Sequence, residues 1–191
     1  MGERTLRNSL HAWLLAAVLL AIGSSMAHGQ AKYTASRAGD LQLGVGYNNG
    51  TSDYVTNRIS GYSGYATFDF SEHFGAEFDF HQANDPNSAV YQRSYEWGGR
   101  YLRHYDNDRY RPYARLMYGR GVFNFPFNVA NLAYNMMVGA GGVDIAIKPR
   151  INVRAEFEYQ YWLSGPGLTN GLTPMMINVG VAYHFPAGNP R

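Results

Sequence analysis

Strict alternation of apolar and polar residues is the feature that most constrains how this chain can fold. Between residues 151 and 161 every second side chain is apolar or aromatic, and those between them are Asn152, Arg154, Glu156, Glu158 and Gln160. A period of two predicts a β-strand with one apolar and one polar face. The same pattern recurs in seven further segments that are separated by turn-forming residues: 41–48, 63–70, 74–81, 95–101, 112–118, 142–145 and 177–185.

The composition of the polar faces indicates which side of such a sheet meets water. Water-facing surfaces are usually rich in lysine and glutamate, but Lys32 and Lys148 are the only lysines, and neither lies in a predicted strand. Charged residues make up 16% of the chain, against roughly 25% in ordinary globular proteins. The polar faces instead combine glycines with a few arginines and carboxylates, which suits a narrow interior. We therefore expect the apolar faces to contact lipid, and a soluble barrel that carries a ligand is disfavoured.

The connections between the segments indicate how the strands are joined. Those after the first, third, fifth and seventh segments are long: 49–58, 83–92, 121–135 and 164–173. Those after the second, fourth and sixth are mostly shorter: 71–73, 104–111 and 148–150. We call the first set outer and the second set inner connections, an alternation that is typical of transmembrane barrels. In hydrocarbon every backbone N–H and C=O must be paired, so strands can span only as a closed sheet. The sequence thus predicts an all-β fold, a closed eight-stranded antiparallel up-and-down transmembrane β-barrel.

The N-terminus has the pattern of a secretory signal peptide. Arg4 and Arg7 precede an apolar run at 12–22, and small residues with a cleavage pattern ending at Gly29 follow it. The run is shorter than the roughly 20 apolar residues that a spanning helix needs. We therefore expect a cleaved signal peptide at 1–29 and one barrel domain at 30–191, with its strands within 39–185.

The last predicted strand ends in a recognisable pattern. Asn178 is followed by Gly180, and Tyr183 and Phe185 come three and five residues after that glycine. This arrangement resembles the C-terminal assembly signal of bacterial outer-membrane β-barrels. Together with the strand count, the connections and the signal peptide, it makes the chain similar to the small eight-stranded outer-membrane barrels of the OmpA/OmpX-like superfamily. The resemblance implies residence in the outer membrane, contact with its lipid and assembly by the barrel-assembly machinery. Residues 186–191 follow the last strand, so we expect the signal to be internal and no periplasmic domain to follow.

If the polar faces line the lumen, they bring charged residues together inside the barrel. The candidate interior network comprises Asp69, Glu77, Asp79, Glu96, Arg100, Arg115, Asp144, Arg154, Glu156, Glu158 and His184. An eight-stranded barrel is only wide enough for side chains to fill its interior, and buried charges have to be paired. We therefore expect a salt-bridged plug, with a path for ions or protons as the alternative.

Candidate catalytic and metal-binding groups are few. The chain has no cysteine, which excludes disulfides and thiolate sites. His81 and His184 are predicted to face the lumen, but Ser60, Ser63 and Ser94 form no recognisable pairing motif with either of them. No two histidines have the spacing of metal ligands. We therefore predict no catalytic residue, no cofactor and no metal site.

The third outer connection contains three phenylalanines, Phe123, Phe125 and Phe127. An exposed apolar patch often marks a contact surface, so this loop is a candidate for adhesion or partner binding. The alternation of the three residues also fits an extension of the fifth strand, or a loop that folds over the barrel mouth.

These observations favour a monomeric, exported outer-membrane barrel with a structural or surface-interaction role, whose long outer connections meet an unknown surface partner. Two alternatives stay open: an enzyme that hydrolyses or transfers acyl chains of outer-membrane lipid, and a narrow ion channel. A net charge of +2 does not favour nucleic acid as a partner.

Overall fold

Eight strands form within the residues that the structure, a computed structural model, describes, namely 39–53, 55–88, 90–165 and 171–185. They are β1 (Asp40–Ser52), β2 (Val55–Asp69), β3 (Phe74–Asn84), β4 (Tyr91–Leu102), β5 (Tyr110–Asn124), β6 (Asn131–Lys148), β7 (Ile151–Trp162) and β8 (Met175–Phe185). The predicted signal peptide, 1–29, and the segment 186–191 lie outside the described residues. The only described helix is a 3-10 turn at Pro126–Asn128, and no described helix is long and apolar enough to cross a membrane.

The strands form one closed sheet. Each strand pairs with the next in antiparallel orientation, and β8 pairs with β1. Leu41 lies opposite Phe185 at one end of this closing pair, and Gly50 lies opposite Met176 at the other. Each of the eight strands therefore has two neighbours, and the sheet has no free edge. This confirms the predicted closed eight-stranded antiparallel barrel.

The strands turn their polar faces inwards and their apolar faces outwards. In β7, Glu156 is 6% exposed while the adjacent Phe157 is 51% exposed. The other strands show the same arrangement of buried polar and exposed apolar side chains. The exposed large apolar side chains include Val45, Phe78, Trp97, Leu116 and Val181. An apolar band of this extent suits hydrocarbon rather than water.

Three outer connections are shorter than the sequence predicted. β1 and β2 leave only 53–54 between them instead of 49–58, and β3 and β4 leave 85–90 instead of 83–92. β5 and β6 leave 125–130 instead of 121–135, and β6 begins well before the segment 142–145 that the sequence pattern marked. The reason is that a β-ladder needs only backbone N–H and C=O groups. Pairing therefore continues past the point where the apolar alternation ends.

β8 carries the residues that resemble an assembly signal. Tyr183 and Phe185 face outwards at the inner end of the barrel, with their ring centroids 4.6 Å apart in an edge-on contact. Asn178 faces inwards and donates from Nδ2 to Glu156 Oε1 over 3.0 Å. Gly180 lies beside β1, where a Cβ atom would come within 2.9 Å of a backbone carbonyl oxygen. These positions fit a strand that closes the barrel, and recognition of the signal by the assembly machinery stays a prediction.

Phe157→Arg should destabilise the barrel by about 2–4 kcal/mol, because a basic residue would then face the middle of the hydrocarbon. Ile147→Arg is the matched control. Ile147 is also exposed, but it lies near the inner end of β6, where the cost falls to about 0–1 kcal/mol. Denaturant unfolding in lipid bilayers measures both changes. A Phe157→Arg barrel as stable as the wild type would contradict the outward orientation of Phe157.

Replacing Tyr183 and Phe185 together by alanine should sharply reduce the amount of barrel in the outer membrane and leave protease-sensitive chain in the periplasm. The change removes the aromatic part of the assembly signal and two interfacial anchors. Deletion of 186–191 is the control and should leave assembly unchanged, because β8 as described, Met175–Phe185, is retained. Membrane fractionation measures the levels, and refolding in detergent separates recognition from stability. Normal outer-membrane levels of the double variant would mean that the resemblance at 178–185 is fortuitous.

Candidate functional site

The inner half of the lumen contains ion pairs in which Arg100 and Arg154 share two carboxylates. Arg154 donates from Nε to Asp144 Oδ1 over 2.8 Å and from Nη1 to Glu77 Oε1 over 2.6 Å. Arg100 donates from Nη2 to Asp144 Oδ2 over 3.0 Å and from Nη1 to Glu77 Oε2 over 3.1 Å. These side chains come from β3, β4, β6 and β7, so the network links strands that are not neighbours in the sheet.

Arg115 of β5 is fully buried and contacts four carboxylates. Its Nη1 donates to Glu77 Oε1 over 2.7 Å and also to Asp79. Its Nη2 donates to Glu156 Oε1 over 2.8 Å and to Glu158 Oε2 over 2.7 Å. Charge-assisted bonds to the planar guanidinium are among the strongest hydrogen bonds in proteins. One cation thus holds together carboxylates from both β3 and β7.

Two tyrosines that the sequence analysis did not assign to the site complete this inner network. The guanidinium carbon of Arg154 lies 4.0 Å from the ring centroid of Tyr65 and 4.9 Å from that of Tyr113, within the range of cation–π attraction. Tyr113 also donates from its hydroxyl to Glu156 Oε2 over 2.6 Å. Gly44 makes room for Tyr65, because a Cβ atom there would lie 2.1 Å from the ring. Both tyrosines stand on the polar faces of the alternating pattern, so that pattern contained the signal.

His184 and Asp69 lie at the inner end, away from the centre of the network. Nε2 of His184 is in hydrogen-bond contact with Asp40, and Arg111 lies 3.7 Å from the same carboxyl group. Asp69 lies 3.4 Å from Nε of Arg100. Asp40 and Arg111 escaped the sequence analysis because each stands one residue outside a predicted strand segment.

A second acidic cluster surrounds His81 on the outer side of Arg115. Nε2 of His81 lies 3.4 Å from Glu158 Oε2, 3.7 Å from Asp79 Oδ2 and 4.0 Å from Glu96 Oε1. All four side chains are buried. The alternating pattern predicts that each of them faces the lumen, but it does not predict that they meet, because contacts across a barrel depend on strand register.

Two serines stand beside His81 in the sheet. Ser63 of β2 and Ser94 of β4 are its register partners on either side, a juxtaposition that no local motif reveals. The Ser94 hydroxyl donates to Glu96 Oε1 over 2.6 Å, and neither ring nitrogen of His81 has a hydrogen-bond partner. The set therefore lacks the serine–histidine hydrogen bond that activates a nucleophile.

The outer half of the lumen is largely apolar, although Ser52 and Gln92 are also buried there. Its buried apolar side chains, which we call the outer apolar cluster, are Val90, Met117, Phe123, Phe125, Tyr134, Met136, Val138, Trp162 and Leu172. At the end of this cluster that faces the ionic inner half, Trp162 donates from Nε1 to Gln160 Oε1 over 2.7 Å. The interior thus changes from ionic to apolar along the barrel axis.

The three phenylalanines of the predicted third outer connection differ in burial. Phe123 and Phe125 belong to the outer apolar cluster, with ring centroids 4.8 Å apart and an interplanar angle of 85°. For these two residues the structure agrees with the alternative interpretation, an extension of the fifth strand or a fold over the barrel mouth, and not with an exposed patch. The reason is that β5 extends to Asn124, so Phe123 faces the lumen and Phe125 folds over its mouth. Phe127 is 92% exposed.

Residues 15–185 match the sequence family described as outer membrane protein beta-barrel domain, a range that contains all eight described strands. The protein belongs to this family. The match begins within the predicted signal peptide, whose cleavage stays a prediction. No curated protein matches the sequence.

Solved structures with the same fold share little sequence with this outer-membrane barrel. Neisserial surface protein A is 15% identical with a TM-score of 0.57, over 78% of this chain and 99% of that chain. Ail, the attachment invasion locus protein of Yersinia pestis, is 15% identical with a TM-score of 0.54, over 78% and 100%. The N-terminal β-barrel domain of Pseudomonas aeruginosa OprF is 13% identical with a TM-score of 0.58, over 77% and 99%. These likenesses establish the fold, and family membership places the barrel in the outer membrane.

Arg115→Ala should lower the free energy of unfolding by about 3–5 kcal/mol, because it leaves buried carboxylates without their cation. Arg109→Ala is the matched control. The Arg109 side chain is 63% exposed and lies 4.0 Å from Asp106, and an exposed pair of this kind contributes about 0–1 kcal/mol. Urea unfolding in lipid vesicles measures both variants. If Arg115→Ala cost no more than Arg109→Ala, the interior network would not be a source of stability.

Proposed function

We propose that this outer-membrane barrel keeps its lumen closed and has a structural, surface-interaction role. Two layers support closure: the ion pairs around Arg115 in the inner half and the outer apolar cluster above them. A passing solute would have to separate buried ion pairs, which is strongly unfavourable, and displace packed aromatic rings. The outer connections are then the parts of the barrel that are available for contact with other molecules.

The exposure of Phe127 is the observation that best supports a surface-interaction role. Its side chain and that of Val129 are both exposed at the tip of the third outer connection. The backbone has a positive φ at Phe127 (61°) and at Asn128 (57°), a region that non-glycine residues rarely adopt. Such a conformation persists only where the surrounding structure holds it, and it often marks a functional segment.

Contacts within the same loop hold this tip in place. The backbone N–H of Phe125 donates to the Ala130 carbonyl over 2.9 Å, and that of Asn128 donates to the Phe125 carbonyl over 3.2 Å. Asn124 donates from Nδ2 to Asn128 Oδ1 over 2.8 Å. An apolar tip that is already ordered loses little conformational entropy when it binds, which suits contact with a partner.

The names of two similar structures agree with a role in contact, since one is a surface protein and the other an attachment invasion locus protein. An enzyme acting on outer-membrane lipid has less support. Ser63, Ser94 and His81 are all buried beneath the outer apolar cluster, where lipid of the outer leaflet does not reach them.

Phe127→Ser should reduce attachment of bacteria that carry the barrel to a surface to which bacteria with the wild-type barrel attach. The expected fall in affinity is roughly tenfold or more, because truncating an aromatic contact residue commonly costs about 1.5–2 kcal/mol of binding. Adherent bacteria are counted at matched outer-membrane levels of the two proteins.

Tyr105→Ser is the control, because Tyr105 is an exposed aromatic residue of the inner connection between β4 and β5. This variant should attach like the wild type. Attachment by the Phe127→Ser variant at the wild-type level would overturn the proposed role of the loop.

A further inference from the structure

His81 is a buried side chain whose nitrogens lack partners. The residue is 2% exposed, and neither Nδ1 nor Nε2 makes a hydrogen bond. Within the same cluster, Glu96 Oε2 and Asp79 Oδ1 are also buried without a hydrogen bond. Buried polar atoms in proteins almost always have a partner, and leaving one unsatisfied is costly. His81, Asp79 and Glu96 thus each carry an unsatisfied polar atom within one buried cluster, which indicates that something else binds there.

The interior also carries more negative than positive charge. Among the described strand residues, seven buried carboxylates (Asp69, Glu77, Asp79, Glu96, Asp144, Glu156 and Glu158) accompany four buried arginines (Arg100, Arg111, Arg115 and Arg154).

Glu96 is the carboxylate in this set for which no arginine lies within ion-pair distance; its one ion-pair contact is His81. Its Oε1 accepts hydrogen bonds from Ser94 Oγ over 2.6 Å and from Gln160 Nε2 over 3.2 Å. A buried carboxylate without a cation needs either a proton or a bound ion.

The four groups are too far apart for direct hydrogen bonds but near enough to gather around one ion. The distances from His81 Nε2 to its three carboxylate oxygens run from 3.4 to 4.0 Å, longer than ordinary hydrogen bonds. Ligand atoms held about 2.0–2.2 Å from a tetrahedral Zn²⁺ lie roughly 3.4 Å apart. One ligand atom from each of the four residues lies within 4.8 Å of all the others.

We propose that Asp79, His81, Glu96 and Glu158 form a binding site for a divalent transition-metal ion inside the barrel. One imidazole nitrogen with carboxylate oxygens is a ligand set that suits Zn²⁺ or Mn²⁺. The ion supplies the positive charge that Glu96 lacks and gives His81 a ligand role. The sequence contains no pair of histidines at ligand spacing and therefore predicted no metal site, whereas strand register assembles this set from β3, β4 and β7.

Neighbouring side chains already orient the ligands. Arg115 binds Glu158 and Asp79, and Gln160 donates from Nε2 to Glu158 Oε1 over 2.6 Å. Such supporting hydrogen bonds fix ligand orientation in metal sites. The outer apolar cluster lies above the site, so an ion that binds as the barrel folds is shielded from bulk water.

Folding the mature chain in lipid vesicles with Zn²⁺, with Mn²⁺ or with Mg²⁺ tests the proposal. After removal of free metal with a chelator, elemental analysis should find about one Zn²⁺ or Mn²⁺ per barrel and little Mg²⁺. The thermal unfolding midpoint should rise with the bound ion, because a ligand that binds only the folded state stabilises it. Less than about a tenth of an equivalent of either transition metal, or preferential retention of Mg²⁺, would overturn the proposal.

Two variants and a matched control make the site assignment specific. His81→Gln and Glu96→Gln should each lose at least about tenfold in retained Zn²⁺ and lose the metal-dependent rise in the unfolding midpoint. Glu96→Gln removes the unpaired charge, so it folds readily and keeps the test valid if His81→Gln does not fold. His104→Gln is the control, because His104 pairs with Asp108 at the surface over 2.6 Å. Equal Zn²⁺ retention in all three variants would place the metal elsewhere.

Discussion

Pairing of buried charges is the constraint on which the rest of this barrel depends. An eight-stranded lumen admits side chains but little else, so an interior charge needs a partner, and most of these residues find theirs on another strand. Arg115 and Arg154 meet this requirement by contacting carboxylates from β3, β6 and β7 at once. Backbone ladders align only neighbouring strands, whereas these contacts depend on the register of the whole sheet. A slip of one residue in β7 would turn Glu156 and Glu158 towards lipid.

The change from an ionic inner half to an apolar outer half explains how the ends of the barrel differ. Ion pairs occupy the region in which Tyr65 and Tyr113 pack against Arg154, while the outer apolar cluster, with Phe123 and Trp162, lies nearer the outer end. The third outer connection contributes to that upper layer through Phe125. Burial of Phe125 leaves Phe127 exposed on a turn with positive φ. One part of the loop therefore stabilises the fold, and the other part is available to a partner.

Alternation, turn residues and the terminal motif were sufficient to predict the fold class, the strand number and the orientation of the faces. They were sufficient because lipid outside and a narrow lumen inside each select residue types strongly. Strand ends were not predictable, since backbone pairing beyond the membrane places little demand on side chains, as in the long β6. Side-chain contacts across the lumen were also not predictable from the sequence. Asp40 meeting His184, and His81 meeting Glu96 and Glu158, follow from strand tilt and register, which no local pattern encodes.

Single-barrel recording in planar lipid bilayers tests the closed, charge-paired interior most directly. If the ion pairs and the outer apolar cluster close the lumen, as we propose, pure protein should give no stable conductance steps of porin size. Stable, large, reproducible steps from pure wild-type protein would contradict this account of the interior.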